Sequence, residues 1–410
     1  MIDFNSEQIE AIYKAEEWYK SLKESPSSVL SNRRKQVFEI SGPAGSGKTT
    51  LVKYIIENLG IDMNEVRFVA FMGKAAVQLQ RNGLPAQTIH SLIYDVVMEP
   101  VFDENGKPVI LPSGNQKRKL AFCLKHDLFI DDDNEIKLIV VDEAGMVSGE
   151  IAEDLLSFGI PIIALGDLNQ LKNPFGSEYF LVKPDIVLTK IHRQSEDSPV
   201  IWLSQEILKN HHLTPGQYGT STVVKRSDFD PEMISKSDAV LCCTNQLRYA
   251  VNDMFRRDIK SLHHRLDVPN IGEKIICRRN KWNKSLMYKG TEYFLCNGIS
   301  GTVEYVDVSS YNGKKLEIDF KPDFLPKSFH NLAMDYKHLY APYGSEDYDA
   351  IHLDLVPFEF AYALTVHLSQ GSQYNDVAYF AEDGKFDNIT KRKLNYTAIT
   401  RAIDRITIFI

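Results

Sequence analysis

A glycine-rich stretch has the residue types and spacing of a phosphate-binding loop. Residues 42–49 read GPAGSGKT and satisfy the pattern G-x-x-x-x-G-K-[ST], between a largely apolar segment (37–40) and a helical one (51–56). In such a loop the backbone N–H groups and the start of the helix face phosphate, Lys48 contacts the β- and γ-oxygens, and Thr49 ligates Mg²⁺. An incidental glycine-rich turn is the alternative. The predicted nucleotide contacts are Gly42, Pro43, Ala44, Gly45, Ser46, Gly47, Lys48, Thr49 and Thr50.

Two adjacent acids follow a second apolar run about ninety residues downstream. Residues 137–145 read KLIVVDEAG, which predicts a buried parallel strand that ends at Asp142 and Glu143. Asp142 can hold the Mg²⁺ shell, and Glu143 can orient and deprotonate the attacking water. Together with the loop, this pair predicts a nucleoside triphosphatase.

Other polar residues follow predicted core elements. Gln170 comes after the apolar run 161–165, where it senses the γ-phosphate or lies on a surface turn. Arg193 is a candidate for stabilising charge in the transition state. Thr88 and His90 begin a helix after the strand region, where they face a substrate or simply pack.

A helix is predicted at 4–23, with Ile9, Ile12, Tyr13 and Trp18 along one broad face. Gln8 lies on this helix, and the residues alone favour a solvent-facing glutamine. Farther along, Asn105-Gly106 lies between short apolar arms, which predicts a hairpin over 101–110. A hairpin with an apolar tip beside positive charge could separate nucleic-acid strands, and a decorative insertion is equally compatible.

Composition narrows the class of protein. The chain has 410 residues, which predicts several domains, with 43% hydrophobic and 25% charged residues. The net charge is −8, so a nucleic-acid partner must be held by a local basic groove. Five scattered cysteines without a C-x-x-C pair predict core residues in a reducing compartment. With no membrane span or signal peptide in the sequence, we expect a cytoplasmic protein without a membrane partner.

The second half predicts another α/β unit, interrupted by a small all-β barrel. Short alternating strands with glycine turns begin near residue 271. Arg279, Lys281 and Trp282 on the first barrel loop suit single-stranded nucleic acid, or form a solvated loop. Residues 358–373 are predicted to form a helix that carries Thr365, His367 and Gly371 near its end, and Arg401 lies on the helix 394–402.

The order of these motifs resembles that of superfamily 1B helicases of the Dda-type and RecD-like branch, over nearly the whole chain. The motifs are the phosphate loop, GKAA with TIHSL, VVDEAG, GDLNQL, HRQ, TVHLSQGSQ and YTAITRA. The resemblance implies an α/β fold in which two RecA-like parallel-sheet domains bind ATP and Mg²⁺ between them. It implies these bounds: a first domain over 1–194 with a pin insertion at about 95–135, and a second domain over 195–270 and 351–410 with an SH3-like barrel inserted at 271–350.

The resemblance also implies roles for individual residues. Gln8 resembles the adenine-reading glutamine, Gln170 the γ-phosphate sensor, and Arg193 and Arg401 the paired arginines of the second domain, while Gly371 falls near the nucleotide. Phe71-Met72 departs from the Pro-Thr that usually precedes G-K-A-A. The predicted DNA contacts are Lys74, Thr88, His90, Phe102, Arg279, Lys281, Trp282, Thr365 and His367.

The resemblance implies a monomeric helicase that moves 5′ to 3′ on single-stranded DNA and acts at single/double-strand junctions, with possible replication or recombination partners. The direction comes from the resemblance alone. A DNA-dependent ATPase that translocates or displaces proteins without unwinding is the alternative. A P-loop kinase is disfavoured by the two arginines and the long second α/β unit.

Overall fold

The computed structural model describes residues 4–24, 32–103, 105–110, 116, 118–128, 130–131, 134–172, 179–190, 198–210, 212–259, 268–307, 315–339, 355–382 and 386–410. Two six-stranded sheets and one five-stranded sheet organise this part of the chain. No helix within it is long and apolar enough to cross a membrane.

The first unit is a parallel sheet covered by helices on both faces. Its strand order is β10-β1-β9-β8-β2-β3, and every pair is parallel. The strands are buried because their apolar runs lie between two helical layers, which is typical of a parallel sheet. The helices are α1 Ser6–Glu24, α2 Lys48–Asn58, α3 Gly73–Arg81, α4 Ile89–Ile93 and α5 Gly149–Leu156. The strands are β1 Val37–Ser41, β2 Val66–Ala70, β3 Ala86–Thr88, β8 Leu138–Asp142, β9 Ile162–Gly166 and β10 Ile186–Val187.

A β-ribbon leaves the first unit between β3 and β8. Strands β4 Tyr94–Pro100 and β5 Arg118–Leu124 pair antiparallel, and β6 Ile130–Asp131 pairs with β7 Asn134–Glu135. Beyond β4, Phe102 bridges to Pro108 and Gly106 adopts φ +73° in the turn, which confirms the predicted hairpin. The Phe102 ring is 55% exposed at this tip.

The second unit is a mainly parallel sheet of order β11-β12-β23-β22-β13-β21, with one antiparallel pair at its β11 edge. Its strands are β11 Gly216–Tyr218, β12 Ser221–Val224, β13 Ala239–Cys242, β21 Ala363–Thr365, β22 Tyr374–Phe380 and β23 Ala402–Phe409. Its helices are α6 Pro199–Asn210, α7 Asn245–Met254 and α8 Asn388–Ile399. The predicted fold class of two parallel-sheet units is confirmed.

The helix predicted over 358–373 is wrong. The segment forms two short strands, β20 Phe358–Phe360 and β21, and then turns. All of its residues from Phe358 to Val366 are buried. A continuous apolar run of this kind has no periodicity that separates a buried strand from a buried helix.

A third, antiparallel unit lies within the second. Its sheet has the order β19-β18-β17-β14-β20, and a separate hairpin joins β15 to β16. The strands are β14 Lys274–Cys277, β15 Lys281–Tyr288, β16 Thr291–Leu295, β17 Ser300–Asp307, β18 Lys315–Pro322, β19 Phe329–Asp335 and β20. The predicted all-β unit is confirmed, and its SH3-like character stays a prediction.

Two buried ion pairs join this antiparallel unit to the second parallel unit. Arg248 of α7 is fully buried and its Nη1 lies 2.6 Å from Glu359 Oε2 of β20. Arg256 lies in the π-helical segment Phe255–Ile259 that follows α7, and its Nε is 2.6 Å from Glu273 Oε1. Arg278 lies 3.3 Å from the second oxygen of Glu359. Buried charges are retained only where they are paired, so these contacts fix the two units to each other.

Candidate functional site

The loop between β1 and α2 has a backbone that requires glycine. Gly45 and Gly47 both have φ +82°, in the left-handed region that side chains disfavour. A Cβ on Gly42 would lie 2.7 Å from Ser46 Oγ and 2.9 Å from Leu188 Cβ. The loop therefore curls tightly before the start of α2, as an anion-binding loop does.

Lys48 and Gln8 both bind the loop backbone. The Lys48 ammonium donates to the carbonyls of Gly42 at 2.6 Å and Pro43 at 2.9 Å, which holds its charge at the loop. Gln8 is buried, and its Nε2 donates to the Ser46 carbonyl at 3.3 Å. Gln8 is therefore not a solvent-facing residue of α1, because its amide is fixed beside the phosphate loop.

Asp142 is the last residue of the central strand β8, and Glu143 comes directly after it. Both residues line a cavity together with Lys48 and Thr49. Burial and the neighbouring Glu143 carboxylate raise the pKa of Asp142 to about 6, and the Lys48 ammonium opposes that shift. Glu143 adopts φ +50°, a left-handed conformation that costs a non-glycine residue about 1–3 kcal/mol. Strain of this kind concentrates at functional sites, where the surrounding structure holds it.

The donor set fits Mg²⁺ rather than a metal held by protein alone. No group of three or more His, Cys, Asp or Glu side chains with ligand geometry occurs in the described ranges. Mg²⁺ usually takes one or two protein oxygens and fills its shell with phosphate oxygens and water. The Asp142 carboxylate and the Thr49 hydroxyl line one cavity with Lys48, which is the arrangement such a shell needs.

Gln170 is buried in a loop that follows β9. Its Nε2 donates to Asp167 Oδ2 at 3.4 Å, and its Oε1 has no hydrogen-bond partner among the residues that the structure describes. The surface-turn alternative for Gln170 is therefore wrong, because only 5% of the residue is exposed. Gln170 lines the cavity together with Lys48 and Asp142, and its unpaired Oε1 is buried beside that cavity.

Residues from the second unit complete the cavity. Arg401 is buried, and its guanidinium donates to the carbonyls of Thr397 and Ser372 at 3.2 Å each. Gly371, at φ +72°, lines the same cavity. It also lies close to the first unit, because a Cβ on Gly371 would be 3.3 Å from Ala75 Cβ. The cavity has a volume of about 360 Å³. Arg193 lies outside the described residues.

Sequence reasoning missed several residues of this cavity. Gln78 and Arg81 of α3 line it, and so does Asp167. A signal for Arg81 existed, since it is the cation that ends the helix begun by GKAA. Thr50, by contrast, is exposed on α2, outside the cavity lining.

Lys74, at the start of α3, lies where the first unit meets both others. Its Nζ is 3.4 Å from the Tyr374 hydroxyl of the second unit. A Cβ on Gly298 of the antiparallel unit would lie 3.6 Å from Lys74 Cβ. The Lys74 side chain therefore lies close to residues of all three units.

Thr88 and His90 line a second cavity of about 480 Å³. The Thr88 hydroxyl accepts from the Ser91 N–H at 3.2 Å and so caps α4. The His90 ring packs against Tyr94 and Phe122, at centroid distances of 5.5 Å each, and burial lowers its pKa. His90 is therefore a neutral, packed imidazole that still borders open space.

The remaining DNA candidates are spread over the second and third units. The Thr365 hydroxyl is buried and accepts from the Leu368 N–H at 3.3 Å, while burial lowers the pKa of the half-buried His367. Arg279 precedes β15 and is half-buried, and Lys281 begins that strand. The Trp282 side chain lies outside the described residues.

Two family models match the chain. The model of an AAA domain matches residues 27–221, and the model of a UvrD-like helicase C-terminal domain matches residues 360–408. The ATP-dependent RecD2 DNA helicase of Deinococcus radiodurans is 23% identical over 94% of this chain and 48% of that protein. The ATP-dependent DNA helicase dda of Enterobacteria phage T4 is 31% identical over 34% of this chain and 28% of that protein. The chain thus spans about half or less of the length of these curated relatives.

Solved Pif1 helicases share the fold. The complex of two coordinating Pif1 helicases at forked dsDNA has a TM-score of 0.52 at 16% identity, covering 99% of this chain and 92% of that one. Bacteroides Pif1 with ADP-AlF3 and ssDNA has a TM-score of 0.50 at 18% identity, covering 90% and 88%. The two family models, the helicase relatives and the order of the motifs agree, so the predicted resemblance of this chain to the superfamily 1B helicases is confirmed.

Proposed function

We propose that the chain is an ATP-dependent DNA helicase that moves 5′ to 3′ on single-stranded DNA and unwinds duplex at junctions. The observation that carries this proposal is the composite cavity. Lys48, Asp142 and Gln170 come from one parallel unit, and Arg401 comes from the other. In a site divided in this way, the binding of a nucleotide depends on the distance between the two units. A kinase whose site lies in a single domain lacks that dependence.

The residues of this cavity and its surroundings that carry polar groups have the following roles in phosphoryl transfer to water. Lys48 and the loop N–H groups bind the β- and γ-phosphates, and Gln8, whose amide is held at the loop, contacts the base. Thr49 and Asp142 would hold Mg²⁺, which would supply positive charge against the phosphate oxygens. Glu143 takes a proton from the attacking water, and Gln170 orients that water. Arg401, with Arg193, stabilises the charge of the transition state.

Hydrolysis then drives motion between the units. Arg401 is attracted to the γ-phosphate, so ATP favours approach of the two units and loss of phosphate permits separation. If each unit alternates its hold on DNA with this cycle, the protein steps in one direction. Separating a base pair costs about 1.4 kcal/mol of stacking on average, so a modest stroke per ATP suffices.

DNA would contact the faces where Lys74, Thr88 and His90 lie, together with residues 365–367. The exposed Phe102 ring at the ribbon tip is the part of the chain best placed to enter a duplex junction. The loop with Arg279 and Lys281 adds positive charge that can bind DNA phosphates. Because the net charge of the chain is −8, positive charge for DNA must be grouped on one part of the surface.

Two assays test the proposal. We expect ATPase turnover to rise at least tenfold with single-stranded DNA, since DNA and nucleotide share the moving interface. An ATPase without DNA stimulation would contradict the proposal. A forked duplex with one tail at a time then measures polarity, and unwinding only with a 5′ tail supports the stated direction. DNA stimulation without unwinding of either fork would favour the alternative, a translocase that displaces proteins.

A further inference from the structure

The loop that carries Gln170 is held by the second unit at three points. The Tyr396 hydroxyl of α8 donates to Asp167 Oδ2 at 2.8 Å. The Leu171 N–H donates to Thr397 Oγ1 at 2.8 Å, and Gln370 Nε2 donates to the Leu171 carbonyl at 2.8 Å. The Leu171 side chain packs in the hydrophobic core of the second unit, although the residue belongs to the first. The position of this loop therefore depends on the position of the second unit.

Asp167 connects this contact to Gln170. Its Oδ1 accepts from the Asn169 N–H at 3.0 Å, which fixes the carboxylate within its own loop. Its Oδ2 accepts from both Tyr396 and the Gln170 amide nitrogen. Because the nitrogen of Gln170 is held on Asp167, the buried carbonyl Oε1 is the end of the amide without a partner, and it can accept from an O–H donor.

We propose that Tyr396 is a positioning residue for ATP hydrolysis, acting through Asp167 to fix the orientation of the Gln170 amide. The proposal rests on the proposed function, in which Gln170 orients the attacking water. When the units are together, the Tyr396 hydroxyl and the Gln170 amide share one carboxylate oxygen, and Oε1 is kept as the acceptor for the attacking water. When the second unit moves away, Asp167 loses its outer donor and the Gln170 loop loses its support, so hydrolysis waits for closure.

The chemistry of Tyr396 suits this role. Only 2% of the residue is exposed, and burial beside the Asp167 carboxylate raises the pKa of its hydroxyl well above 10. The hydroxyl therefore keeps its proton throughout the working pH range and always donates. A bond from a neutral donor to a buried carboxylate is stronger than one between neutral groups.

The experiment compares Tyr396→Phe with a matched control, Tyr379→Phe. Tyr379 is also fully buried, but its hydroxyl donates to Asn395 Oδ1 at 2.7 Å within the second unit. Both substitutions remove one buried hydroxyl, so we expect similar melting temperatures. In Tyr396→Phe we expect the DNA-stimulated kcat to fall about tenfold with the KM for ATP within about twofold, since the loss is of orientation rather than of binding. The control should keep the parent kcat.

A second comparison separates positioning from general damage. Because Tyr396 acts only through Gln170, the kcat of Gln170→Ala and of Gln170→Ala with Tyr396→Phe should agree within about twofold. A further multiplicative loss in the double variant would overturn the proposal, and so would a parent-like kcat in Tyr396→Phe. These outcomes require a parent protein whose ATPase responds to DNA. If the parent itself lacks that response, the proposed function has failed instead.

Discussion

Replacing Glu359 by glutamine tests whether the antiparallel unit is fixed to the second parallel unit by buried charge. Glu359 is 1% exposed and contacts Arg248, which is fully buried, and Arg278, which is 10% exposed. Glutamine keeps the volume and one acceptor oxygen, so the change removes charge without opening a cavity.

The expected loss is large because one buried guanidinium remains without a counter-charge. Breaking a buried ion pair by removing one partner costs about 3–5 kcal/mol. We expect the lower end, about 3 kcal/mol, because the amide oxygen retains a hydrogen bond to Arg248 and Arg278 keeps some contact with water. If the second parallel unit and the antiparallel unit unfold together, this loss of stability corresponds to a fall in Tm of roughly 6–12 °C.

Differential scanning calorimetry measures the fall in Tm, because units that unfold separately give separate transitions. The matched control is Asp253→Asn, which removes the ion pair between Asp253 of α7 and Arg257. Both residues of that pair are more than half exposed, so we expect little change in Tm. A Tm of Glu359→Gln within about 1 °C of the parent would refute the reasoning, since no buried charge would then depend on Glu359.

Four other substitutions are predicted to have distinct effects. Lys48→Ala should abolish both nucleotide binding and turnover, whereas Arg401→Ala should abolish turnover and leave binding of a labelled ATP analogue largely intact; parent-like ATPase in either would contradict the assignment. Phe102→Ala should reduce unwinding of a forked duplex several-fold at near-parent DNA-stimulated ATPase, and unchanged unwinding would exclude the tip as a strand separator. Gly301→Ala should lower Tm, because the new Cβ would lie 2.1 Å from the Lys321 carbonyl and the strands must shift, at about 1–3 kcal/mol.

Sequence reasoning succeeded where a chemical motif follows an apolar run. Strands β1, β8 and β9 were predicted this way, and the structure confirms all three. It failed over residues 358–373, where the apolar run itself has no period. A parallel strand that is buried on both faces looks in sequence like a fully buried helix, and only its neighbours in the sheet decide between them.

The N-terminal helix shows a second limit. Its predicted apolar face included Ile9 and Tyr13, which are 43% and 65% exposed, whereas Gln8 is 5% exposed. Hydrophobicity alone assigns an amide to solvent. The structure buries Gln8 because its amide has partners, namely the Ser46 carbonyl and the Asn5 N–H.

The site itself was predictable in parts that lie close together in sequence, and not in the contacts between units. Asp167 and Tyr396 are separated by 229 positions, and each reads as an ordinary residue of its own motif. Their contact exists only once two independently folded sheets meet, so neither periodicity nor spacing encodes it. Because the contact forms only when the two sheets meet, it can couple ATP hydrolysis to the position of the two units. A residue that orients the water through a bond across the interface makes hydrolysis depend on closure, and a site contained in one unit has no such dependence.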